Sequence, residues 1–104
     1  MAFVVKKIST QEFEKLGVDT WEPWENTTHK APWEVEAAET FYVLDGEVNI
    51  TVEDITYNVT ENMLVSLPKG LVCIWDIPKY LKKVYKLNFE LDYIASAKTS
   101  QTVQ

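Results

Sequence analysis

The feature that most limits what this chain can become is the period of its apolar residues, which changes from helix-like near the start to strict alternation further on. In "GEVNITVED", Val48, Ile50 and Val52 alternate with Glu47, Asn49 and Thr51, and "ITYNVT" repeats the pattern with Ile55, Tyr57 and Val59. Successive side chains of a strand point to opposite faces, so such runs predict strands with one dry and one wet side. "MLVSLP" is apolar without alternation, which predicts a strand covered on both faces, ended by Pro68 and turned by Lys69-Gly70. "LVCIWDI" puts Leu71, Cys73, Trp75 and Ile77 on one face. "LKKVYKLNFEL" does the same for Leu81, Tyr85, Leu87, Phe89 and Leu91, with Lys83 interrupting that face. Between Leu44 and Val48, Asp45-Gly46 sits where two runs meet, and a tight hairpin is expected there.

Ahead of these runs, "STQEFEKLG" has the form of a capping box: Ser9 accepts from the first turn, Glu12 reaches back, and Gly17 supplies the stop. A short helix over residues 10–16 follows. One helix and then evenly spaced short strands predict an all-β single domain, an antiparallel barrel or a double-sheet sandwich, and no internal repeat is evident. The domain is expected over residues 1–94, because "ASAKTSQTVQ" at 95–104 is polar, lacks an apolar period and reads as a disordered tail.

Composition excludes several functions. The chain has 104 residues, enough for one core, and 10 basic against 16 acidic side chains give a net charge of −6. No basic face is available to neutralise phosphates, so nucleic acid and anionic membranes are not expected partners. No apolar run has the length of a membrane span, and "MAFVVKKIST" is not built like a secretory signal. The single cysteine, Cys73, cannot close an internal disulfide, in keeping with a cytoplasmic location. Sequons at Asn26, Asn49 and Asn58 carry no weight without a secretory route.

Glu39, six intervening residues and Gly46, within "ETFYVLDGEV", resemble the back half of the first cupin motif, in which two histidines precede a glutamate and then a glycine. "ENMLVSLPKGLVC" resembles the second motif, with its Pro-x-Gly. The resemblance covers residues 39–73 closely and about 20–90 loosely. It is nearest the small single-domain cupins of the ethanolamine-utilisation and ureidoglycine-aminohydrolase branch. It implies an RmlC-like jelly-roll barrel with a short N-terminal helix, and it leaves function open because one barrel carries many chemistries.

This chain departs from the motifs at the metal ligands. The first-motif histidines fall at Trp33 and Val35 or at Pro32 and Glu34, depending on spacing; the second-motif histidine falls at Cys73, and the opening glycine is Asn62. Of the ligand set only Glu39 survives, and the chain's single histidine, His29, reads as a solvated loop residue outside both motifs. A histidine that related small cupins often carry before the late-strand tyrosine is Val84 here. No metal and no other cofactor is expected. A replacement set of Glu34, Glu39 and Cys73, with or without His29, mixes hard carboxylates with a soft thiolate and matches no recognised site.

Strand parity puts Glu39 with Phe41 and Val43, and Cys73 with Trp75; the resemblance adds Trp24, Trp33 and Tyr85. The expected cavity is aromatic, with Trp24, Trp33, Phe41 and Trp75 as ligand-binding wall and Glu39, Cys73 and Tyr85 as candidate catalytic groups. Each has a plainer reading. Glu39 is either a poised acid or base, or bonded to backbone or Tyr85; Cys73 is an inert core thiol; Trp21, Trp24 and Trp33 seal the barrel end or an interface. Glu34 and Glu36, expected to share a strand face, belong with Glu22 and Glu25 to a solvated rim. Three functions remain: a small-molecule-binding module, an enzyme using Glu39 as general acid/base on a small metabolite, and a structural dimerisation domain. A homodimer is the expected assembly.

Overall fold

The computed structural model describes residues 3–89 and residue 91; the tail expected to be disordered lies outside them. A short strand β1 (Val4–Lys7) leads into helix α1 (Thr10–Leu16) and a single 3-10 turn at Val18–Thr20. The strands β2 (Glu22–Glu34), β3 (Glu39–Gly46), β4 (Val48–Val52), β5 (Ile55–Val59), β6 (Met63–Leu67) and β7 (Val72–Leu87) follow. Ser9 caps α1 by accepting from the Glu12 amide, and Gly17 ends it in the left-handed region at φ 69°. The Glu12 carboxylate also pairs with Lys6 of β1 at 2.9 Å.

β7 is the spine. One of its edges pairs with β2 from Val72 to Tyr85, and the other pairs with β3 through Leu81–Leu87 and with β4 through Ile74–Asp76. β6 and then β1 extend the sheet beyond β3, and β5 extends it beyond β4. Because β2 and β7 are long enough to serve both halves, one hydrogen-bonded sheet folds over into the two walls of a barrel.

The fold-over needs a corner, and three local irregularities supply it. The β2–β7 register shifts between Thr27 and His29, where Pro78 and Lys79 of β7 stand against the single residue Thr28, and the Pro78 carbonyl accepts from the Thr28 hydroxyl at 3.3 Å. β3 has a register shift between Val43 and Asp45. At Gly46, φ is 82°, and a Cβ there would be driven into the Tyr80 carbonyl. Bulges raise local twist and bend a strand, and glycine permits backbones to approach closely.

The expected hairpin at Asp45-Gly46 is therefore absent. β3 does not pair with β4; the two run successively along the same edge of β7, and the glycine marks their bend. The two-residue hairpin lies at Glu53-Asp54 between β4 and β5, with Glu53 at φ 57°. Glu36 lies outside the strands, so it shares no strand face with Glu34.

The barrel interior holds Val35, Phe41, Val43, Val48, Ile50, Val65, Leu67, Ile77 and Leu81, each at most 1% exposed. Burying a side chain of this size stabilises by about 1.5–3 kcal/mol. A second cluster, Val18, Trp21, Tyr42, Leu64, Val84 and Leu91, lies where Phe13 and Leu16 of α1 cover the outer face of β3, β6 and β7. This explains the unbroken apolar run of β6: Leu64 faces the helix while Val65 and Leu67 face the interior.

Replacing Gly46 with alanine meets both the positive φ and the Tyr80 backbone, so Gly46→Ala is expected to cost well above the ~1–2 kcal/mol of a left-handed alanine. At Gly70 (φ 90°) a Cβ meets open space, so Gly70→Ala pays only that conformational cost. Urea denaturation of both variants, with Gly46→Ala the markedly less stable, checks this order.

Candidate functional site

Inward-facing residues of β2, β3 and β7 meet around a cavity of about 410 Å³, lined among others by Trp24, Trp33, Glu39, Trp75, Lys83 and Tyr85. Register explains the meeting. Trp24 stands opposite Lys83, Trp33 opposite Cys73 and Ala31 opposite Trp75 across the β2–β7 pair, while Phe41 stands opposite Tyr85 across β3–β7. The indoles of Trp24 and Trp33 and the Phe41 ring each present an edge-to-face contact to Trp75, with centroids 6.5, 5.3 and 5.5 Å away.

Lys83 occupies the centre of this arrangement. Its ammonium donates to Glu39 Oε2 at 2.6 Å, and the two side chains are only 7% and 8% exposed. Glu39 pairs with Leu87 and Lys83 with Val43, so the lysine stem runs diagonally along the sheet to reach the carboxylate. On the way its Nζ lies 4.5 Å from the Phe41 ring centroid, 4.8 Å from Trp75, 4.9 Å from Trp24 and 5.4 Å from Tyr85. Ring faces carry negative electrostatic character, so four of them compensate part of the hydration the ammonium has lost. Burial pushes the Lys83 pKa down from its ordinary value, and the Glu39 carboxylate opposes that shift.

Of the seven residues expected from the sequence, Trp24, Trp33, Glu39, Trp75 and Tyr85 line the cavity. Phe41 lies fully buried behind Lys83 and touches the site through the ammonium. Cys73 is not brought to the cavity. It is 3% exposed within the interior cluster, and burial raises its thiol pKa, which leaves less thiolate for nucleophilic work. The partner of Glu39 is Lys83, not backbone or Tyr85. His29, expected in a loop, is an exposed residue of β2 at the cavity's rim. Trp21 belongs to the outer cluster, edge-on to Phe89 at 5.9 Å.

The residues present do not fit the metal that the resemblance implies. Val35 and Cys73 are packed in the core, Pro32 and Glu34 are exposed, and Trp33 is cavity wall. Among the described residues no three His, Cys, Asp or Glu side chains gather into a ligand set. The one carboxylate at the site already holds an ammonium.

A bent antiparallel barrel with its cavity between the long strands is the fold of a small cupin. More narrowly, the family model of the EutQ-like cupin domain matches residues 13–85, and the chain belongs to that family. A DUF861 family protein from Thermotoga maritima is similar at 31% identity, over 83% of this chain and 99% of that one, with a TM-score of 0.77. The EutQ protein of Clostridium difficile shares the fold at 20% identity, over 82% of this chain and 66% of that one, with a TM-score of 0.59. The putative ethanolamine utilization protein Q of Salmonella typhimurium does so at 18% identity, over 84% and 69%, with a TM-score of 0.57. No curated protein matches the chain.

Removing one partner of a buried ion pair leaves the other charge unpaired in an apolar setting, which costs about 3–5 kcal/mol. Glu39→Leu and Lys83→Met are each expected to destabilise by about that amount, and the double variant by much less than their sum. A double-mutant cycle from urea midpoints measures the coupling. Cys73 is expected to resist a thiol-specific disulfide reagent in the native protein at neutral pH and to react fully once the protein is unfolded.

Proposed function

We propose that the protein binds a small organic molecule in the cavity walled by Trp24, Trp33 and Trp75, with Lys83 and Glu39 as its polar floor. The observation that carries this reading is the pairing of an ammonium with a carboxylate at the base of an open aromatic cavity. Pockets for small molecules combine apolar walls with a few fixed polar groups. Glu39 accepts from Lys83 through Oε2, and Oε1 has no hydrogen-bond partner among the described residues. The ammonium likewise keeps N–H groups that Glu39 does not use. Donor and acceptor therefore lie side by side, which suits a ligand with a carbonyl oxygen next to an N–H or O–H. Amides, ureas and carboxylic acids have that arrangement. The indoles favour a flat or apolar body behind it.

A second reading makes the same pair catalytic. Glu39 would act as general acid/base, with Tyr85 at the cavity wall as its helper and Lys83 holding the carboxylate in place. An assembly-only domain, by contrast, expects a filled interior, and the open cavity supports the ligand-binding reading over it. The outer face of β7 carries Val72, 65% exposed, and Ile74 beside Thr51 of β4. We take this face as the seam of a homodimer. Among the described residues no helix is long and apolar enough to cross a membrane, and a cytoplasmic location is part of the same proposal.

A native mass spectrum of protein purified gently from its own host is expected to show a dimer retaining one small organic molecule per subunit. Titration of that molecule, followed by tryptophan fluorescence, should show affinity falling about ten-fold in Trp33→Ala, in line with the loss of an aromatic contact and its apolar area. Turnover that vanishes in Glu39→Gln while affinity persists would select the enzyme reading. A cavity that retains nothing and a tryptophan signal that answers to no amide, urea or carboxylate would overturn both.

A further inference from the structure

The site contains a cation already, and that cation is covalently part of the chain. Glu39 is the one member of the cupin metal-ligand set that this sequence keeps, and its carboxylate grips Lys83 Nζ at 2.6 Å inside the barrel. Around Nζ stand the rings of Trp24, Phe41, Trp75 and Tyr85, all within 5.4 Å of it. A divalent ion wants nitrogen, oxygen or sulfur lone pairs around it, whereas an ammonium is well served by ring faces and one carboxylate. Trp33 stands where one spacing of the motif places a histidine, and Cys73, at the other motif's histidine, is turned into the core.

We propose that Lys83 replaces the metal of the cupin barrel: its ammonium is a built-in cation that holds Glu39 and offers its remaining N–H groups to a carbonyl or carboxylate oxygen of the ligand. It rests on the ligand-binding reading above for the molecule it serves, and it makes that binding independent of added metal. The lysine is a positioning and binding group here, and no change in its protonation is required.

Two measurements test this. Wild-type protein equilibrated with Mn²⁺, Fe²⁺, Ni²⁺ and Zn²⁺ in turn, then examined by native mass spectrometry, is expected to carry no stoichiometric metal. One equivalent of metal that disappears in Glu39→Gln would overturn the proposal. The organic ligand, retained or not in the same spectrum, reports separately on the binding reading. The second measurement uses Lys83→Ala, which deletes the atoms of n-propylammonium and leaves the rings and Glu39 around the space. Added n-propylammonium chloride is expected to raise the melting temperature of Lys83→Ala saturably by several degrees, as specific binding to the folded state must. Sodium chloride of equal ionic strength and n-propanol should not, and wild type should not respond. If Lys83→Ala does not fold alone, recovery of its near-ultraviolet circular dichroism in n-propylammonium, but not in sodium chloride, is the same readout. A variant that neither melts higher nor regains its fold in n-propylammonium would overturn the proposal as surely as a bound metal.

Discussion

Placing an ammonium and a carboxylate inside an apolar barrel removes several kcal/mol of hydration from each ion, and contact between them recovers it only when the geometry is close and other groups help. Here the contact is 2.6 Å and the help comes from four aromatic rings. Much of the interior follows from that requirement. The rings must surround Nζ, so Trp24, Phe41, Trp75 and Tyr85 need inward positions on three different strands. Those strands must be in the register that sets Trp24 opposite Lys83 and Phe41 opposite Tyr85. Where the charged pair ends, the cavity begins, because neither tryptophan wall can collapse onto a floor that is already occupied.

Register of this kind depends on β7. A strand that serves β2 on one edge and both β3 and β4 on the other ties the two walls of the barrel together, and its corner at Pro78 and Tyr80 decides which of its residues face inward together. The register shift opposite Thr28 and the glycine at position 46 mark the matching bends along its neighbours. A one-residue slip of β3 against β7 would put Glu39 and Lys83 on opposite faces, and a slip of β2 would take Trp24 off Lys83. The family match to the EutQ-like cupin domain and the close fold similarity to the Thermotoga maritima protein agree with this frame. At the motif's ligand positions this chain keeps only Glu39.

Alternation made β4, β5 and the two halves of β7 legible, an unbroken apolar run did so for β6, and the Ser9–Gly17 signals bounded α1 to the residue. β2 was not legible. It is an edge strand, open to solvent on most of its length, with Pro23 and Pro32 where a central strand would need N–H donors, so it shows no apolar period. Its tryptophans read as a dense cluster ahead of the core when they are in fact core wall. Asp45-Gly46 misled for a related reason: the same dipeptide chemistry serves a hairpin and a strand bend, and only the identity of the partner strand distinguishes them. In the site, Lys83 carried a visible signal, a charge breaking an apolar face, and Glu39 carried its counterpart. What sequence could not supply was their distance, since four positions of register separate the two along the β3–β7 ladder.

From the residues alone came the all-β class, the helix and its caps, the inward parity of Glu39, Phe41 and Trp75, and the loss of the metal-binding histidines, because these depend on local periodicity and on residue identity. The tertiary structure decided that Cys73 is packed in the core, that Tyr85 and Trp33 share a cavity, and that the surviving acid is paired with a lysine. Those outcomes depend on which strands become neighbours and in what register, and that is set by the bends of three long strands acting together, which no window of sequence contains.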